Sequence, residues 1–246
     1  MRTFKLTLQY DGSRYRGWQR LADSDRTIQG RLELTLSRLL GEQIELSGSG
    51  RTDAGVHALG QTASFRSRTA VQADEILQSL RQHLPEDIGA VSLEEMPERF
   101  HARLSAKGKV YRYRIWNSEQ PCVFDRKYVY VLPEPLDLEA MQRAAAQLTG
   151  THDFRSFCAK KSDKKSTVRS LEALEITRNG EEVQLLFRGD GFLYQMVRIL
   201  TGTLIEVGRG QRPPESMHDL LSAKDRALAG YTVPARGLFL MEVLYE

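Results

Sequence analysis

Within residues 48–61, GSGRTDAGVHALGQ, three side chains able to do chemistry, Arg51, Asp53 and His57, stand among glycines and alanines. Small residues let a ligand or a second stretch of backbone come close. A carboxylate in such a place can act as a nucleophile or a general base. Arg51, two residues before Asp53, is spaced to hold that carboxylate ionised through charge-assisted hydrogen bonds. The competing reading is an Asx-type turn in which Asp53 only caps local backbone amides. His57 invites an acid–base role beside Asp53, but a structural role is the simpler expectation for it. Spacing by itself leaves both readings of Asp53 open.

Other chemistries find no residues. GSGRTDAGV is not the dinucleotide fingerprint, because Asp53 occupies the third glycine position, and no Gly-Lys-Ser/Thr completes a phosphate loop. His57, His83, His101, His152 and His218 are scattered, without H-x-x-x-H or C-x-x-C spacing for a metal. The zinc deaminase pattern and the G-x-S-x-G elbow are absent. A metal-dependent hydrolase of nucleic acid would need acids clustered with Asp53, whereas Glu94 and Glu95 belong to another segment. No metal and no cofactor is expected.

The elements that must position Asp53 follow from periodicity. Phe4, Leu6, Leu8 and Tyr10 alternate with polar residues, which predicts a half-buried strand ending at the turn Asp11-Gly12. Ile28, Leu32, Leu36, Leu39 and Leu40 recur at helical spacing, with Thr27 as N-cap and Gly41 as stop. QIELSGSG (43–50) reads as a strand leading into the Asp53 stretch, and LGQTASFRS (59–67) as its return. A helix over 73–84 ends at Pro85.

The second half begins near Lys107. VYRYRIW (110–116) is a strand with Tyr111, Tyr113 and Ile115 on one face. A helix capped by Asp137 ends before Gly150. Residues 170–191 form a hairpin turning at Asn179-Gly180. Residues 192–208 form a long helix and 237–245 a last strand. Strands with segregated helices predict an α+β class. A helix followed by LLG or LTG recurs in each half, 1–105 and 106–246, a weak internal repeat. No Pro-, Gly- or Ser-rich linker separates the halves, so one shared sheet is expected.

With 246 residues, 41% of them hydrophobic, the chain can fill a sizeable core. The formal net charge of +3 does not by itself indicate a nucleic-acid binder, but its distribution points to one. Arg155, Lys160, Lys161, Lys164, Lys165 and Arg169 face only Asp163 in their stretch, and Lys107, Lys109, Arg112 and Arg114 face no acid. Two such patches suggest a polyanion met on one face. Cys122 and Cys158 make neither a disulfide framework nor a zinc pattern and fit a reducing compartment. The N-terminus runs straight into a strand, and no apolar run approaches the roughly 20 residues that span a bilayer. A cytoplasmic location without membrane contact is expected.

GRTDAGVHALGQ resembles the signature of the tRNA pseudouridine synthase A family. The likeness extends through LQYDGSRYRGWQ, FHARLSAKGKVYRYRIWN, GTHDFRSFC, GFLYQMVRILTGTLIEVGRG and AGYTVPARGLFLMEV, in order along essentially the whole chain. It implies two similar α+β halves that share one mixed, mostly antiparallel sheet, with helices packed on it and a central cleft. It implies an isomerase that turns uridine into pseudouridine at tRNA positions 38, 39 or 40 in the anticodon stem-loop, as a homodimer and without a cofactor. Asp53 matches the family's essential aspartate, Tyr111 the tyrosine that stacks on the target base, and Arg198 the arginine that pairs with the aspartate. Arg51 matches a basic residue linked to flipping the base. Lys107 and Lys109, with Lys160, Lys161, Lys164 and Lys165, are then expected to meet the RNA backbone. Ser49, Gln195, Ile199, Leu200, Tyr231 and Val233 depart from the residues common in the family. The alternative is a catalytically idle RNA-binding or RNA-chaperone protein on the same fold.

Overall fold

A computed structural model describes residues 1–159 and 166–246. They form two compact units, one of Met1–Lys107 with Phe239–Glu246 and one of Gly108–Leu238. Each is α+β, as the separation of strands from helices predicts.

The first unit runs β1 (Arg2–Tyr10), α1 (Ile28–Leu40), β2 (Ser47–Gly48), β3 (His57–Ser67), α2 (Ala73–His83) and β4 (Ile88–Met96). β1 is central, antiparallel to β3 on one side and β4 on the other. Its alternation buries Phe4, Leu6 and Leu8 completely, and Phe4 stacks on Phe65 of β3 at 5.1 Å. α1 begins and ends where the sequence predicts. Thr27 Oγ1 accepts the Gly30 N–H at 3.3 Å, and Gly41 leaves the helix at φ 65°, a conformation that costs glycine little. Ile28, Leu32 and Leu36 form its buried face.

The strand expected over 43–50 shrinks to Ser47–Gly48 on β3. The preceding backbone is satisfied by α1 side chains instead of a neighbouring strand. Ser37 Oγ accepts the Ile44 N–H, Glu33 Oε1 accepts the Leu46 N–H, and Gln29 Nε2 donates to Leu46 O. A buried backbone polar group needs a partner, and a side chain serves.

The second unit runs β5 (Gly108–Trp116), β6 (Tyr130–Val131), α3 (Leu138–Leu148), β7 (Gly150–Asp153), β8 (Val168–Asn179), β9 (Glu182–Gly189), α4 (Met196–Gly208) and α5 (Ser216–Ala223). Its strand order is β5-β9-β8-β7, every pair antiparallel, with β6 added parallel to β5. Tyr111, Tyr113 and Ile115 of β5 are buried, as alternation predicts. The hairpin loop is Gly180-Glu181, because Asn179 pairs with Glu182; Gly180 takes φ 56° at the loop's first position. The helix predicted from Phe192 starts only at Met196, after Gln195 at φ 60°. β10 (Leu238–Leu244) pairs in the first unit, parallel to β3, with Phe239 opposite His57.

Candidate active site

Asp53 lies on a turn between β2 and β3, half-buried, with Val56 N donating to its carbonyl at 3.2 Å and Gly55 at φ 78°. Side chains would not fit around this turn. A Cβ on Gly12 would lie 2.0 Å from Val56 O, and one on Gly17, itself at φ 99°, 2.7 Å from Thr52 O. A Cβ on Gly48 would strike the Trp18 ring at 2.6 Å. The loop after β1 is thus laid directly against the Asp53 turn, and Trp18 N donates to Thr52 O at 3.0 Å.

Under the turn lies a buried polar network. Ser49 Oγ donates to Gln61 Oε1 at 2.7 Å, which also accepts the Thr62 N–H. Gln61 Nε2 donates to Gly50 O at 3.2 Å and to the Tyr10 hydroxyl at 3.4 Å. The Tyr10 hydroxyl sits 2.8 Å from Thr52 Oγ1. Either hydroxyl can donate to the other, while Gln61 donates to the Tyr10 oxygen. Burial pushes the Tyr10 pKa up to about 12, so the hydroxyl keeps its proton. Sequence reasoning missed Tyr10, Ser49, Thr52 and Gln61; only the glycine spacing of DGSRYRGW hinted at the close contact.

His57 is 1% exposed and stacks on Phe239 at 4.7 Å. Its Nδ1 accepts the Gly12 N–H at 3.1 Å, and Asp11 Oδ1 lies equally close. His57 anchors the loop after β1. Arg51 is exposed and forms no ion pair among the described residues, so the local Arg51–Asp53 pair suggested by spacing is not made.

In the second unit, β5 and α4 bring Tyr111 and Arg198 onto facing elements. Tyr111 is 8% exposed and meets the Phe192 ring edge-on at 5.0 Å. Arg198 Nε donates to Val233 O at 2.8 Å. The segment holding Val233 is strapped to α4. A Cβ on Gly202 would lie 1.9 Å from Tyr231 O, Gly230 N donates to Thr203 Oγ1 at 2.9 Å, and the Tyr113 hydroxyl donates to Pro234 O at 2.7 Å. Lys107 is exposed and Lys109 half-buried. Lys160, Lys161, Lys164 and Lys165 lie outside the described residues. Among the described residues no group of His, Cys, Asp and Glu is arranged to hold a metal, and no helix is long and apolar enough to cross a membrane.

The sequence profile of the family described as tRNA pseudouridine synthase matches residues 7–104 and 144–246. The chain belongs to the tRNA pseudouridine synthase family. It is similar to tRNA pseudouridine synthase A 2 of Bacillus cereus (strain ZK / E33L), with 45% identity over 99% of both chains. It is 46% identical to tRNA pseudouridine synthase A of Moorella thermoacetica over the full length of both, and 46% identical to that of Halalkalibacterium halodurans over 97% of this chain and 90% of that one. The family is one of isomerases. The matched segments contain Asp53 and Arg198, and the full-length likeness to the Moorella protein extends across β5 and Tyr111.

Proposed function

We propose that this chain converts uridine to pseudouridine in the anticodon stem-loop of tRNA, at positions 38, 39 or 40, as a cytoplasmic homodimer. The observation that carries the reading is the Asp53 turn, a carboxylate on backbone so closely hemmed by Gly12, Gly17 and Gly48 that no side chain fits behind it. Its order comes from the network beneath it, which is the preorganisation a reacting carboxylate needs.

The reaction breaks N1–C1′, turns the uracil and joins C5 to C1′. C5 loses a proton and N1 gains one, so redox state and composition are unchanged and no cofactor is required. Asp53 acts on the sugar or the base as nucleophile or general base. Arg198 holds it ionised. Arg198 Nε donates to Val233 O, which fixes the guanidinium on its own unit. Tyr111 stacks on the uracil, an interaction worth about 1–3 kcal/mol per base. This offsets part of the few kcal/mol that unstacking the uridine costs. Arg51, exposed beside the turn, takes the place the base vacates, and Lys107, Lys109 and the lysines of 160–165 meet phosphates.

The test is tritium release from tRNA labelled at uracil C5, since that hydrogen leaves only when C5 becomes the glycosidic carbon. Release by the native chain and none by Asp53→Ala is expected. Equal release from both would remove Asp53 from the chemistry. No release from several tRNA pools, with tRNA still bound, would favour the idle binder.

A further inference from the structure

The loop that lays Gly12 and Gly17 against the Asp53 turn has a second face. Between those glycines, Arg14 and Tyr15 line an open cleft of about 640 Å³, completed by α1 and the end of α2. Arg14, Arg26, Arg31 and Arg38 meet only two acids there, Asp25 and Asp87. Both acids are engaged. Asp25 pairs with Arg31 at 2.9 Å, and Asp87 accepts the Tyr15 hydroxyl. Arg26 donates through Nε and Nη2 to Arg14 O, which fixes the loop, and it forms no ion pair among the described residues. Arg14 and Arg38 are exposed and form no ion pair among the described residues. Leu34, 43% exposed, gives the same cleft an apolar surface.

A concave wall of like charges concentrates positive potential. Arg31 and Arg38 are seven residues apart on α1, two turns along one face, or about 10 Å along the axis. One phosphate cannot serve both, whereas a chain of phosphates can. We propose that this cleft holds the sugar–phosphate backbone of the tRNA on the side of the Asp53 turn, with phosphates against Arg14 and Arg38 and a ribose or base face against Leu34. The site rests on the tRNA reading above, but not on Asp53 being the reacting group.

The experiment is fluorescence anisotropy of labelled tRNA against the full chain over a range of KCl concentrations, with the thermal midpoint of each variant as folding control. Arg14→Gln/Arg38→Gln is expected to weaken binding about tenfold at low salt and to flatten the slope of log Kd against log salt by about 1–2. Asp25→Asn, which releases Arg31, is expected to tighten binding and steepen the slope. The opposite signs separate an electrostatic site from damage to the fold. Unchanged Kd and slope in both variants overturns the proposal. Inorganic phosphate bound in the cleft with no change in tRNA affinity does so too. A native chain that binds tRNA with the expected slope but releases no tritium would sink the isomerase reading and leave the cleft standing. Tritium release with a slope insensitive to these substitutions would do the reverse. A native chain that binds no tRNA removes both.

Discussion

Gln61 ties the backbone just before Asp53 to β1 and β3 through four hydrogen bonds. Its amide oxygen takes two donors and its nitrogen gives two bonds, all in a strand position that is 0% exposed. The network continues through the Tyr10 hydroxyl to Thr52 Oγ1, 2.8 Å away. Thr52→Val keeps the shape and deletes the hydroxyl that bonds Tyr10. The Tyr10 hydroxyl then loses this bond in the interior, at a cost of about 1–3 kcal/mol. Thr52 adjoins Asp53, so kcat should fall while KM for tRNA holds, and Thr52→Ser should restore it. Urea unfolding and steady-state kinetics check this together; a stability loss with kcat intact would mean that the network supports the fold and not the carboxylate. The glycines and Asp53 are legible in the sequence because their types have few other uses at that spacing. Gln61 is not, because a buried polar residue is identified by its partners, and these come from β1 and from Ser49 and Gly50 just after β2.

At the scale of elements, legibility follows how local the controlling interactions are. α1 is readable to the residue because Thr27, Gly41 and the spacing of Ile28, Leu32 and Leu36 all act within one helix. The segment 43–46 is misread as strand because its hydrogen bonds go to Gln29, Glu33 and Ser37, which pattern alone does not bring near. α4 is misread at its start for a similar reason. Phe192 is turned to meet Tyr111 on another element, and the chain accommodates this with Gln195 in the left-handed region. That conformation costs a side-chain-bearing residue roughly 1–2 kcal/mol and glycine little. Gln195→Gly, at the N-cap of α4 where no side-chain cap bond is lost, is therefore expected to raise stability by up to about 1 kcal/mol. Gln195→Val should lower it by at least as much. Denaturant midpoints at equal m-value decide, and a destabilised Gln195→Gly would show that the αL residue carries no strain.

Over the whole molecule, the last strand shows what a sequence hides. LFLMEVL matches any apolar sheet position, and nothing in it says that β10 returns to the first unit beside β3. The tyrosines have a global consequence of another kind. Burial raises the pKa of Tyr10 and Tyr245 to about 12, and it moves Tyr15, Tyr113 and Tyr231 upward as well. An unfolded tyrosine ionises near pH 10. Below that pH both states hold the proton and the buried hydroxyls contribute their full stability. Above it the unfolded chain sheds protons that the folded chain keeps, so stability falls as pH rises. Tyr10 alone accounts for a slope of at most about 1.4 kcal/mol per pH unit between pH 10 and 12. The other four steepen it, those nearer solvent by less. The thermal midpoint should therefore stay level to about pH 9.5 and then drop sharply, with part of the tyrosinate absorbance rising only as the chain unfolds. Tyr10→Phe lowers overall stability by removing its hydrogen bonds, yet it should make the alkaline fall shallower, because one proton no longer distinguishes the two states. If every tyrosine ionised near pH 10 without loss of structure, the buried hydroxyls would have to be open to water, and the sealed network beneath the Asp53 turn would be wrong with them.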